Sequence, residues 1–338
     1  MATLSFELVK LKFTSPLHLS RGQTDFYDKS ETIIHSDTIK SALFSCAKVL
    51  FQESITKDFL ESFLISSAFP FNEDDYFFPK PISDIPLRIN DIKGKAKENK
   101  KLKKLDFLNK YFFEKTINAD EFFDVSKNNF SKNGKFLVKE NQQVNIFESE
   151  VQQRLVMPKG EEDNPTPYYV DRLFFRNNTG LYFLLKANDN KIRNVIIDSL
   201  ELLSQQGIGT DRNVGNGQFD FELVKDFKIN VPDKSNSQMT LSLFLPQNHE
   251  ISDDTLKNSR YQLLKRGGYI SSPENMDILT FRKKSVYMFK EASVFPLKKL
   301  QGKILDLKPD NVQGLNHEIW RDGKAIFIPL KIISNDKS

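Results

Sequence analysis

"KIRNVIIDSLELLSQQGIGTDRNVGNGQFDF", residues 191–221, decides how this chain is read. Its first half sets Ile192, Val195, Ile196, Ser199, Leu200 and Leu203 at i, i+3, i+4 spacing, which predicts a helix running to Gln206. Gly207 stands where such a helix ends. Beyond the loop, Phe219, Phe221 and Leu223 alternate as a half-buried strand does. The order is helix, glycine loop, strand. P-loop and dinucleotide fingerprints run strand, glycine loop, helix, so that a helix N-terminus faces the phosphate, and their Lys-Ser/Thr ending is missing here. That argues against an ATPase or a Rossmann enzyme. Gly207, Gly209, Gly215 and Gly217 surround Thr210, Asp211, Arg212 and Asn213. Such a loop can lay backbone N–H groups against a polyanion, with Arg212 adding a fixed fork of donors. An extended phosphodiester backbone suits it better than a single triphosphate. A tight connection that needs positive φ at several points is the structural alternative.

Composition narrows the field further. The chain has 338 residues, more than one compact core needs, and its 39% apolar and 28% charged content is that of a folded chain. Phenylalanine is heavily used, 30 against one tryptophan, so most of these rings belong to the core and none is singled out as a base stacker. Cys46 is the only cysteine, which excludes an intrachain disulfide or a thiolate zinc site and fits a reducing cytoplasm. No export signal or membrane span is read, and no metal or other cofactor is expected. "KGKAKENKKLKK", residues 93–104, carries +6 of the net +4, so the rest of the chain is slightly acidic at −2. The lysine run is read as a solvated loop, and any anion site must be argued from local residues.

The first unit takes shape around the glycine loop. "LSFELVKLKF" (4–13) reads as a strand, with Leu4, Phe6 and Leu8 alternating before a shift to Leu11 and Phe13, and "TSPLHLSRG" (14–22) as a loop. "IIHSDTIKSALFSCAKVLFQ" (33–52) offers Ser36 or Asp37 as N-cap of a helix with Ile39, Ala42, Leu43, Cys46 and Leu50 on one face. Its free N–H groups are placed to take an anion beside His18, Arg21 and His35, or serve as plain capping. Residues 148–175 read as a protruding hairpin with a Pro, Gly and acid-rich tip and one arginine per strand, Arg154 and Arg172. "GLYFLLKA" (180–187) follows as a strand, completing a βαββαβ, ferredoxin-like order. A second unit begins near Val231: "MTLSLFLP" as strand, "DTLKNSRYQLLKR" as helix, "KSVYMFKEASVF" as strand, and "WRDGKAIFIPLKI" as a hairpin turning at Asp322-Gly323.

These residues resemble the RAMP superfamily of CRISPR-associated proteins, and within it the subunits that cap the crRNA 5′ tag in type III-A (Csm) complexes. The resemblance spans nearly the whole chain and rests on "SPLHLSRG", "HSDTIKSALF", "VDRLFF", "GIGTDRNVGNGQF", "KRGGYISS", "MFKEASVF" and "HEIWRDGKAIFIP" in that order. Ala292 stands where relatives often have glycine. The resemblance implies an α+β protein of two tandem ferredoxin-like (RRM-like) domains. The first would span 1–230, with an insertion and a β-hairpin thumb at about 70–176; the second would span 231–338. It implies a non-catalytic RNA-binding subunit whose partners are crRNA, target RNA, the large signature subunit that makes cyclic oligoadenylate, and a backbone RAMP subunit. Carried over position by position, RNA contacts fall on Ser15, His18 and Arg21, on Ser36 and Thr38, on Arg154 or Arg172, and on Gly207, Gly209, Thr210, Arg212, Asn213, Gly215 and Gly217. Gly215 and Gly217 would admit the RNA backbone closely, and Val156, Met157 and Pro158 would wedge between stacked bases. A second class stays open, a metal-independent endoribonuclease that processes crRNA with His18 or His35 as general base.

Overall fold

A computed structural model describes residues 2–20, 27–90, 94–157, 164–270, 281–310, 315 and 317–333. The first unit is organised by one long strand, Ala2–Phe13, with a neighbour on each side: Phe219–Val231 and Thr179–Ala187, both antiparallel. The far edge of Thr179–Ala187 is shared by two short strands, Phe63–Ile65 and Phe69–Asn72. Helix Ser36–Phe51 links the first strand to this edge, and helix Asn190–Gln206 links Thr179–Ala187 to Phe219–Val231. Two β-α-β crossovers are thus interleaved in one sheet, and the order is the one the sequence predicts.

Both faces of this sheet are covered, which accounts for the phenylalanine content. Val9 and Leu11 pack with Ile39, Leu43, Ile196 and Leu200 under the two helices. Phe6 and Leu8, on the opposite face by the two-residue strand period, pack with Phe71, Phe78, Tyr182 and Phe227, and with Met239, Ile326 and Ile328 of the second unit. Burial on both sides explains the change of alternation in "LSFELVKLKF" and the near-continuous burial of Thr179–Ala187. The insertion extends the sheet through Asp75–Pro79, Phe107–Asn109 and Phe136–Leu137. Lys95–Lys104 forms a ten-residue helix and not a loop, because Glu98 folds back to accept from the Ile89 N–H at 2.8 Å and Leu102 packs on the core. The hairpin pairs Phe147–Val156 with Thr166–Phe175 in unbroken register and, among the described residues, joins no other strand, touching the loop after the first strand through one bridge, Leu173 to Leu17.

The second unit departs from its sequence reading. Residues 254–266 do not make one helix: Asp253–Lys257 is helical, then Arg260 N bonds Val294 O at 2.9 Å and draws the chain into the strand Leu263–Arg266. "KSVYMFKEASVF" is two strands, Val286–Phe289 and Val294–Pro296, parted at Ala292, whose φ of 68° lies in the region that glycine adopts without strain. The closing hairpin does not form. Trp320–Asp322 pairs with Ile304–Asp306, while Phe327–Leu330 pairs with Ser237–Thr240. Gly323 is there because a Cβ would sit 2.3 Å from that of Leu245. Among the described residues no helix is long and apolar enough to cross a membrane, and no cluster of His, Cys, Asp and Glu is suited to a metal.

Candidate nucleic-acid interface

The glycine loop is built against the loop after the first strand. Helix Asn190–Gln206 ends at Gly207, whose φ is 78° and whose N–H bonds Leu203 O. Thr210 N donates to His18 O at 3.0 Å, Gly217 N to Pro16 O at 2.8 Å, and Gln218 N to Ser15 Oγ at 2.8 Å. Ser15 and His18 therefore position the loop from behind. A Cβ at Gly207, Gly209 or Gly217 would meet backbone oxygen of this same assembly, at 1.9 Å in the case of Gly217 against Ile208 O. The expectation that Gly217 is reserved for a ligand is corrected: its own chain fills that space. Gly215 differs, with φ at 81° and nothing within 4 Å of an added Cβ.

What the loop leaves outward is a short crest, Arg212–Val214, with Arg212, Asn213, Val214 and Gly215 all exposed. The Arg212 side chain makes no hydrogen bond or ion pair with a described residue, its backbone carbonyl alone accepting from Gly215 N at 3.0 Å. Beside the crest stands the hairpin stalk. Arg154 lies opposite Tyr168 in the ladder, and Arg172 lies four residues beyond Tyr168, so both arginines share one face of the stalk. Both turn to Asp211: Arg154 Nη1 sits 2.8 Å and Arg172 Nη2 3.8 Å from its Oδ2. Asp171, on the other face, anchors the stalk, accepting from Ser30 N at 2.8 Å and from Ser149 Oγ at 2.5 Å. Tyr27 packs edge-on to Tyr168 with centroids 6.1 Å apart and remains partly exposed.

Sequence reasoning missed two parts of this arrangement, the Tyr27–Tyr168 pair and the role of Asp211. Strand parity would have put Tyr168 on the arginine face. Asp211 sits between the stalk arginines, so an external anion reaching both would have to displace it. Asp211→Asn is expected to tighten single-stranded RNA binding about two- to fivefold, the scale of a partly exposed ion pair. Asparagine tolerates the left-handed φ of 61° found there. Fluorescence anisotropy on a labelled strand reads this directly, and weaker binding would make Asp211 a ligand-orienting group instead.

The start of helix Ser36–Phe51 is not part of this interface. Ser36 is buried, its Oγ accepting from Leu243 N at 3.0 Å and its N–H donating to Ser67 Oγ at 2.9 Å. Asp37 is buried against two guanidiniums: Arg266 reaches it with Nε at 2.8 Å and Nη2 at 2.9 Å, and Arg321 Nη1 bonds the same carboxylate. Arg266 also donates to Thr38 Oγ1 at 2.8 Å. The Ser36 and Thr38 N–H groups expected to take RNA are thus engaged within the first unit, by Ser67 Oγ and His35 O, while Leu243 and Arg266 of the second unit hold the two side chains, so Ser36 and Thr38 belong to the joint between units. The nuclease alternative loses its geometry for a related reason. His35 is buried with Nδ1 2.7 Å from Glu291 Oε1, and His18 is buried with Nδ1 2.6 Å from Asp171 O, so neither ring offers a free approach to a 2′-hydroxyl. Arg21 and the hairpin tip, Pro158 included, lie outside the described residues, while Val156 and Met157 below the tip are exposed.

Comparison with known proteins bears on the whole chain. Residues 10–220 match the family model described as the RAMP superfamily. The chain belongs to the RAMP superfamily. Residues 233–330 of this RAMP chain match the CRISPR Csm4 C-terminal domain. It is similar to a protein of Thermococcus onnurineus named CRISPR system Cms protein Csm4, 25% identical over 246 residues, 70% of this chain and 75% of the relative. A protein of the same name from Methanocaldococcus jannaschii is 22% identical across 95% of this chain and 96% of its own. In fold it resembles chains of a Csm3–Csm4 subcomplex from a type III-A interference complex (17% identity, TM-score 0.63, 97% and 99% coverage) and of a Csm1–Csm4 cassette with cA4 (18%, 0.62, 98% and 100%).

Proposed function

We propose that this RAMP chain is the Csm4-type, non-catalytic subunit of a type III-A interference complex, and that it grips the repeat-derived 5′ tag of crRNA. The observation that carries the reading is the convergence of an exposed Arg212 whose side chain has no partner among the described residues, and a Gly215 open among those residues, with two stalk arginines on one surface. Backbone donors, guanidiniums and an aromatic pair are the groups that hold a single strand. The interleaved crossovers of the first unit are read as ferredoxin-like, the second unit as a reduced relative of that fold, and the hairpin as a thumb whose exposed Val156 and Met157 disturb guide–target stacking. The relatives' names pair Csm4 with Csm1 and with Csm3, which supports a large signature subunit and a backbone RAMP subunit as partners here. The cytoplasm is the compartment this reading requires.

Arg212→Ala tests the reading. It should weaken single-stranded RNA binding and reduce the log-log salt slope by roughly 0.7, the value of one lost phosphate contact. Neutralising two exposed lysines of the helix Lys95–Lys104 should do less. Equal losses from both variants would mean diffuse electrostatics and no site.

A further inference from the structure

The second unit carries a basic, aromatic ribbon that the glycine-loop reading does not use. Strands Leu263–Arg266 and Val286–Phe289 form a two-stranded sheet, with Lys265 directly opposite Tyr287 and Leu263 opposite Phe289. One face is packed: Leu264, Val286 and Met288 cluster with Leu243 and Leu245. The other is open, with Leu263 at 53% and Tyr287 at 61% exposure, and Tyr261 at one end packing edge-on to Phe289 at 5.0 Å. Beyond the other end, Tyr269 and Phe281 are half exposed, and the Arg282 guanidinium lies over the Tyr269 ring at 5.2 Å.

Charge on this ribbon has one sign. Residues 260–270 and 281–290 hold Arg260, Lys265, Arg266, Arg282, Lys283, Lys284 and Lys290 and not one acid. Arg266 is satisfied by Asp37, and Lys284 by the exposed Asp310 at 2.8 Å; Lys265 has no ion pair among the described residues. The two acids of the intervening segment, Glu274 and Asp277, lie outside the described residues. Burial, with the neighbouring Arg321 and Arg266 guanidiniums adding to it and Asp37 opposing, brings the Lys283 ammonium down to about 8. At the corner joining ribbon to loop, Gly268 has φ at 107° and among the described residues an added Cβ would meet only the end of the Lys283 side chain, at 4.0 Å. Its backbone is open to close approach, as at Gly215.

From this we infer that the open face of the ribbon, centred on Tyr287 and Lys265, is a second binding surface for single-stranded RNA. Same-face residues along a strand are about 7 Å apart, so Leu263 and Lys265 on one strand and Tyr287 on the other give alternating apolar, cationic and aromatic contacts. A protein partner fits less well, because buried protein interfaces are poor in lysine and this face has one at its centre. A polyanion with exposed bases satisfies both the charge and the rings, by phosphate contact and by stacking.

The experiment measures binding of a fluorescent 15-nucleotide oligouridylate to the full chain. Tyr287→Ala is expected to weaken it about tenfold, Tyr287→Phe to leave it within about twofold, and Lys265→Ala to lower the salt slope by roughly 0.7. Both side chains are exposed, and unchanged melting temperatures confirm that the fold is kept. The same probe annealed into duplex should lose its dependence on Tyr287. Tyr287→Ala without effect on the single strand overturns the inference, and so does a variant that binds RNA normally but no longer co-purifies with a protein partner. The two sites fail separately, since a loss confined to Arg212→Ala removes the ribbon and a loss confined to Tyr287→Ala removes the glycine loop.

Discussion

Asp37→Ala is expected to destabilise the protein by about 3–5 kcal/mol near neutral pH, the cost of leaving two buried guanidiniums without their carboxylate. Arg321 is 6% exposed, and the carboxylate they share is fully enclosed. Water cannot replace it. Burial raises the Asp37 carboxyl, but Arg266 and Arg321 outweigh that and hold it well below the usual carboxylate range. A carboxyl held low in the folded state stabilises above its unfolded value, about 3.9, and loses that contribution as pH falls toward the folded value. The gap between wild type and Asp37→Ala, read from guanidinium unfolding midpoints, should be full near pH 7 and shrink progressively below about pH 4. A gap independent of pH would mean that lost packing, and not the ion pair, sets the cost.

Gly217→Val should be worse still. Its φ of 74° is strained for any L side chain, and a Cβ would lie 1.9 Å from Ile208 O and 2.9 Å from Ile208 C, both backbone atoms that cannot step aside. The expected loss is about 4 kcal/mol or more, seen as insoluble or unfolded protein. Gly215→Ala is the contrast: it pays for its φ alone, about 1 kcal/mol, stays folded, and binds RNA more weakly because its open side faces the ligand. A folded Gly217→Val protein would contradict the packing described for the loop.

Elements whose cause is local were legible in the sequence. Helical spacing from Ile192 to Leu203 and a glycine directly after Gln206 define the helix Asn190–Gln206, and alternation through Phe219 and Phe221 announces the last long strand. The second unit was less legible because its strands are three or four residues long and its hydrogen bonds reach far along the chain, so no period builds up. Distance also hid the joint between the units. Ser36, Asp37 and Thr38 look like an ordinary open cap, and the arginines that close it lie 229 and 284 residues from Asp37. Of the candidate site, the loop and the stalk arginines were found from composition and strand position, while their meeting at Asp211 is a tertiary fact.

The central claim, that the glycine loop and hairpin stalk hold the 5′ end of a guide RNA, is tested most directly by crosslinking. The chain would be purified with whatever RNA and subunits accompany it, irradiated, and mapped by mass spectrometry together with sequencing of the attached RNA. The account predicts RNAs that share one 5′ sequence, with crosslinks from those first nucleotides to residues 207–217 and to the face bearing Arg154, Tyr168 and Arg172. RNAs without a common 5′ end, or 5′ nucleotides crosslinked only outside these residues, would contradict it.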